Sequence, residues 1–233
     1  MESLNLDYNH FEHVPSCIGC LSALTFLSFN HNRLSDACLE SLRADRNILS
    51  QLAVLRLGSN RLSSIEKLQL HRYPKLKSLF LHNNFISAVS NGLHSLWALK
   101  ELVLDRNFIR QLHAHNFIDQ INSLQELRLD HNLLDSISFV QDLTSLRSLH
   151  VSQNRLSHVI HLESLSTLTS LLEISVRRNH LCRKRIYREL ALAKCPSLQI
   201  IDSRPISSIE QTLAATLSTP STVLSVLSRT NAL

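Results

Sequence analysis

The chain has 233 residues, of which 47 are leucine and only 3 are glycine: Gly19, Gly58 and Gly92. A dinucleotide-binding loop needs three close glycines, a phosphate-binding loop two, and a nucleophile elbow two around a serine, so these enzyme classes are excluded. The net charge of +5 is uneven: residues 177–194 carry seven Lys/Arg against one Glu, leaving a nearly neutral body with one basic end.

Taken in chain order, one eleven-residue pattern, L-x-x-L-x-L-x-x-N-x-L, recurs eight times with conservative substitutions. The copies start at Met1, Leu24, Leu52, Leu76, Leu99, Leu124, Leu146 and Leu171, and define coils one to eight. The clearest are LAVLRLGSNRL, LKELVLDRNFI and LQELRLDHNLL. The ninth position is asparagine every time: Asn9, Asn32, Asn60, Asn84, Asn107, Asn132, Asn154 and Asn179. The x-L-x-L-x centre alternates with period two and predicts a short strand with leucines inward. One coil cannot bury its leucines alone. Stacked coils can, placing Leu102 and Leu104 between Leu79 and Leu81 on one side and Leu127 and Leu129 on the other. At position nine the chain bends inward and buries backbone groups, and an amide can both donate to and accept from them.

The first copy begins at Met1, and no polar segment precedes it to cover Leu4 and Leu6; an exposed apolar end predicts that the array continues in a longer chain. Cys17 and Cys20 have no second cysteine pair and no histidine pair at metal-site spacing, and are expected as small buried residues in the first return. Five cysteines without a dense framework fit a reducing, intracellular compartment. In SDACLESLRADRNILSQL, Ser35 or Asp36 is expected to cap a helix carrying Cys38, Leu39 and Leu42 inward. NFIDQI after His115 predicts another helical turn, and the 22-residue step after Asn132 has room for extended or 3₁₀ turns only. His113 and His115 lack a third ligand and read as surface. No metal ion or cofactor is expected. No apolar run is long enough to span a bilayer, and no signal peptide opens the chain.

At these leucines and asparagines the chain resembles the leucine-rich repeat family, in particular its intracellular class with one strand per coil. That class includes the leucine-rich regulatory subunit of protein phosphatase 1, the A-prime protein of the U2 spliceosomal particle and an axonemal dynein light chain. The resemblance implies an α/β solenoid: a curved right-handed superhelix with a parallel sheet on the concave face and short helices and turns on the convex face. It also implies a C-terminal cap, with Asn179, Cys182, Tyr187, Arg188, Pro196, Leu198, Ile201 and Asp202 matching that class's cap and His180 standing at its proline. The expected organisation is eight repeats over 1–181, the cap over 182–206 and a Ser/Thr-rich tail over 207–233. Ile206, Ile209, Leu213 and Leu217 predict a helix lying on the cap, with disorder beyond Pro220.

Positions three, five, seven and eight of each coil are expected to face solvent on the concave side. Most are polar, but Phe26, Val54, Phe80 and Val103 are not, and they stand near Arg56, His82, Arg128 and His150. Aromatic and aliphatic groups beside cations are the composition of an interface centre. The expected function is a non-catalytic, monomeric scaffold that binds a protein partner on this face. It is read as intracellular and cytoplasmic, with a ciliary place suggested by the resemblance. The alternative is a ribonucleoprotein component that meets RNA or an acidic partner through the basic cap. No nucleophile turn or polar cleft points to an enzyme.

Overall fold

The computed structural model describes residues 1–42, 49–184 and 186–217. The region beyond Pro220, expected to be disordered, lies outside them. Each pattern centre forms a three-residue strand: β1 (Ser3–Asn5), β2 (Phe26–Ser28), β3 (Val54–Arg56), β4 (Ser78–Phe80), β5 (Glu101–Val103), β6 (Glu126–Arg128), β7 (Ser148–His150) and β8 (Glu173–Ser175). With β9 (Ile200–Ile201) and β10 (Arg204–Pro205) they make one ten-stranded sheet in strict chain order. All pairings are parallel except the last, a β9–β10 hairpin whose turn places Asp202 and Ser203 at positive φ.

The register is that of the repeat. Leu27, Leu55, Leu79, Leu102, Leu127, Leu149 and Ile174 are opposite one another in sequence, and all are buried. Leu57, Leu81, Leu104 and Leu129 form a second buried column. Each such leucine contributes about 1.5–3 kcal/mol of burial before chain entropy is counted.

Where they are described, the returns between β1 and β8 are 3₁₀ turns and bends. All of NFIDQI but its last residue, Ile121, lies in one of them, Ala114–Gln120, and the short step after Asn132 holds Ser138–Val140. Cys38, Leu39 and Leu42 are buried as expected. Neither Ser35 nor Asp36 caps a helix there. Asp36 reaches into the next coil instead, accepting from the Ser63 N–H and hydroxyl (2.6 Å each), the Ser64 N–H (3.0 Å) and Lys67 Nζ (3.1 Å). Burial pushes its carboxyl up, but these donors outweigh that and hold it below the usual range. Cys17 and Cys20 are exposed rather than buried, because Ile18 is the residue of that return, Ser16–Cys20, that turns inward.

Seven of the eight asparagines are buried and make one repeated set of contacts. Asn107 is typical: Oδ1 accepts the Ile86 N–H of the preceding coil (3.0 Å), and Nδ2 faces the carbonyls of Leu81 in that coil (3.0 Å) and Leu104 in its own (3.0 Å). Asn32, Asn60, Asn84, Asn132, Asn154 and Asn179 repeat the pattern. Asn9 departs from it. It is exposed and bonds only the Leu6 and Asp7 carbonyls of its own coil, since β1 has a neighbour on one side only. Just before each asparagine, position eight is left-handed in all eight coils, at φ 54–57°, with no glycine among them.

At the C-terminal end, α1 (Tyr187–Lys194) and α2 (Ser208–Leu217) pack on each other, and α1 also packs on the return Val159–Thr167. Asp202 is buried at the centre: Oδ1 accepts the Val176 N–H (2.8 Å), Oδ2 accepts the Tyr187 hydroxyl, and its carbonyl accepts from Arg177. Leu198 and Cys195 are buried, Cys182 donates to the Val176 carbonyl, and Pro196 is exposed. Of the expected stripe, Ile206 packs against the core but Ile209 and Leu213 are exposed; on α2 Ala214 is the buried residue, and Glu210 pairs with Arg188 (2.8 Å).

Replacing Asn107 by alanine leaves the Ile86 N–H without a partner and removes one donor each from the Leu81 and Leu104 carbonyls, which keep Nδ2 of Asn84 and Asn132. The expected loss is about 1–3 kcal/mol in denaturant unfolding. Asn107→Asp keeps the acceptor, loses the donor and buries a charge, and is expected to lose more.

Candidate functional site

The open face of the sheet carries the residues at positions three and five. Their register brings together most of the residues expected to form a site. Arg56 lies between two rings, its guanidinium carbon 5.2 Å from the Phe26 centroid and 4.8 Å from the Phe80 centroid. This arises because Phe80 is the partner of Arg56 across the β3–β4 pair, while Phe26 lies two residues off register in β2, on the same face of the sheet. A cation over aromatic faces at such distances is attracted by both ring quadrupoles. All three side chains, and Val54, stay half-buried, so the stack offers ring edges and the guanidinium rim.

Val103 does not join that surface. It is only 6% exposed, set in register between Phe80 and Arg128, and serves as floor. Arg128 turns to Asp105, Nε to Oδ2 at 3.1 Å, and is half-buried. His150 meets the Ser148 hydroxyl at 2.9 Å. The expected cluster therefore divides into an aromatic–cation stack over coils two to four and a charged, hydrogen-bonded patch over coils five to seven.

A second ladder runs through position seven, where a solvent-facing column was expected. Asp7 Oδ1 accepts the Asn30 N–H (2.7 Å), and Asn30 Oδ1 accepts the Gly58 N–H (2.8 Å). Further along, Asp105 Oδ1 accepts the Asp130 N–H (2.8 Å), Asp130 Oδ1 accepts the Ser152 N–H (2.6 Å), and the Ser152 and Ser175 hydroxyls meet at 2.8 Å. The sequence signal is the recurrence of Asp, Asn and Ser at one position. Between the two runs, Gly58 and His82 replace the link with a packing contact. A Cβ on Gly58 would lie 2.2 Å from the His82 ring, so glycine is what lets the imidazole lie against the backbone.

Burial pushes His82 below the ordinary histidine value; Asp105 pulls the other way, and His31, Arg128 and Arg56 add to the depression. Asp130 is pushed up, by burial first and by Asp105 as a neighbouring charge. Among the described residues no group of three or more His, Cys, Asp or Glu could hold a metal ion. The His113 and His115 rings stack on each other at 5.3 Å.

The basic end is partly used within the fold. Arg177 and Arg188 donate to the carbonyls of Asp202 and Ile201, Arg188 also pairs with Glu210, and Lys194 pairs with Glu163 at 2.7 Å. Arg178 and Arg183 are exposed, and Arg185 lies outside the described residues. That leaves fewer outward cations for a phosphate backbone than the sequence suggested.

A sequence profile described as leucine rich repeat matches residues 50–107 and 97–156. The chain is also similar to solved structures. An internalin C2 from Listeria monocytogenes is 23% identical, with TM-score 0.69 over 85% of this chain and 79% of that one. An internalin (inlF) from the same organism is 23% identical, with TM-score 0.63 over 88% of this chain and 62% of that one. The fold is a leucine-rich repeat solenoid.

Leucine-rich repeat relatives among curated proteins include disease resistance protein RFL1 of Arabidopsis thaliana, 30% identical over 129 residues, covering 55% of this chain and 14% of that protein. Leucine-rich repeats and immunoglobulin-like domains protein 2 of Homo sapiens is 30% identical over 128 residues, covering 48% of this chain and 12% of that protein. The match thus spans about an eighth of the length of these relatives. Among the described residues no helix of this leucine-rich repeat chain is long and apolar enough to cross a membrane.

The depressed His82 ties stability to pH. The folded chain holds His82 neutral at pH values where the unfolded chain has begun to protonate it. Stability is therefore full above about pH 6.5 and falls as the pH drops through the depressed folded value. Thermal melts at about pH 7.5 and about pH 5.5 should show this loss, and His82→Gln should reduce it.

Proposed function

We propose that this leucine-rich repeat array is a non-catalytic module that holds a protein partner on its concave face. Leucine-rich repeat proteins generally mediate protein–protein interaction, and the fold supplies an open sheet face on which a partner can lie. The observation that carries the reading is the Phe26–Arg56–Phe80 stack. It holds an arginine in a fixed, partly desolvated pose beside ring edges, the kind of anchor on which binding energy concentrates. Arg128 and His150 extend the face with polar contacts that orient a partner. Val54 belongs to the same face, while Val103 supports it from below.

Five free cysteines, two of them exposed, support an intracellular and cytoplasmic setting. The finer kinship we propose rests on residues: the KELVLDRN coil and the RELALAK to LQIIDSRPI closure resemble the C-terminal array of leucine-rich repeat-containing protein nine. That resemblance brings with it the intracellular repeat class, its C-terminal cap and a ciliary setting.

The test is quantitative affinity capture with the wild-type array, Phe80→Ala, a Phe26/Phe80/Arg128 triple alanine variant, and Ile160→Ser on a return as control. Phe80→Ala should weaken a captured partner by more than about 1 kcal/mol with little change in melting temperature. Equal yield from all four proteins would contradict a concave-face site.

A further inference from the structure

The edge of the solenoid beside the asparagine turns forms a surface separate from the concave face. Positions eight and ten of each coil lie there, flanking the buried asparagine. Its backbone is as regular as the sheet: in coils two to seven, the N–H at position ten donates to the carbonyl at position eleven of the preceding coil. Phe85 to Leu62, Phe108 to Ile86 and Leu133 to Ile109 are three of these bonds. Side chains at position ten therefore stand in one column.

Across the eight coils, positions eight and ten hold five arginines, four histidines and no acid. A chain with 19 acidic residues, whose body outside the basic end is nearly neutral, has kept all of them off these two positions, although Arg61 also borders a cleft lined by Asp36, Glu40 and Glu66. At the middle of the position-ten column the cations give way to Phe85, Phe108 and Leu133. Phe85 is 55% exposed and Phe108 50% exposed, their rings stacked with centroids 6.1 Å apart and planes 4° from parallel. Arg33 and Arg61 precede them in the column and Arg155 follows, all exposed, with exposed Arg106 at position eight alongside. Among the described residues no ion pair holds any of these four arginines.

Two stacked, half-exposed phenylalanines bury apolar area only when something covers them. Two flanking positions that carry five arginines and no acid set the charge of that something. We infer that this edge is a second docking surface, which takes an acidic, extended peptide segment whose apolar side chains cover Phe85 and Phe108 while its carboxylates meet the flanking arginines. From Arg61 to Arg155 the column crosses four coil steps. At about 4.8 Å per step that is roughly 20 Å, the length of about six extended residues. Arginine suits the task, because its planar fork pairs with a carboxylate in two bonds and keeps its charge at any physiological pH.

The probe is a short fluorescein-labelled peptide with two phenylalanines flanked by glutamates, followed by fluorescence anisotropy against the whole chain. Binding should appear, weaken with added salt, and fall about tenfold or more in Phe85→Ser/Phe108→Ser and in Arg61→Glu/Arg155→Glu. Phe80→Ala, on the concave face, should leave it unchanged, so this surface and the concave one fail or stand separately. No binding, equal binding of a peptide with lysines in place of glutamates, or binding untouched by the phenylalanine substitutions overturns the inference. So does an acid-only peptide that binds as well, since the edge would then be a general polyanion surface. Sedimentation showing that Phe85 and Phe108 close a dimer of this chain would also overturn it, by giving the edge a different occupant.

Discussion

Each coil ends in an inward bend that takes an N–H and several carbonyls out of water where no strand partner reaches them. The side-chain amide at position nine meets both kinds of group at once, through Oδ1 on the Ile86-type N–H and Nδ2 on the Leu81-type carbonyl. Because those two groups belong to the preceding coil, while Nδ2 also faces the Leu104-type carbonyl of its own, the amide does more than fill a local need. It sets the step and register between neighbours, and the leucine columns follow from that register. The left-handed residue at position eight and the outward column at position ten are consequences of the same bend. Neither asparate nor alanine reproduces the contact, one lacking the donor and the other both functions.

Much of this was legible in the sequence for a definite reason. A leucine every second residue and an asparagine at a fixed offset are period signals, and a repeat multiplies them eight times. What escaped reading was whatever depends on contact between coils rather than on period. Position seven looked like a solvated column because Asp, Asn and Ser are ordinary surface residues; that their oxygens accept N–H groups one coil on is visible only in the structure. Val103 sits at an outward position, yet the large neighbours Phe80 and Arg128 close over it. Cys17, Cys20 and the α2 stripe of Ile209 and Leu213 were misplaced because burial depends on which side of a turn packs, and a short 3₁₀ return or terminal helix carries too few residues to declare it.

The same regularity yields two surfaces of different character. The sheet face carries Arg56 held between aromatic rings, with a carboxylate–arginine pair and a histidine beyond. The turn edge carries a pair of exposed rings among arginines, with no acid at positions eight or ten. Parallel coils turn single substitutions into columns, so chemistry placed at one template position becomes a strip running across the array.

Amide hydrogen exchange followed residue by residue tests the bridging amides most directly. The N–H groups of Leu34, Leu62, Ile86, Ile109, Leu134 and Leu156 each donate to the asparagine of the next coil. If those asparagines hold the coils together, these amides exchange only through opening of several coils at once, alongside the strand amides of Leu79 and Leu102. Exchange of the position-eleven amides at the rate of exposed turn amides, with the strand amides still protected, would contradict the account.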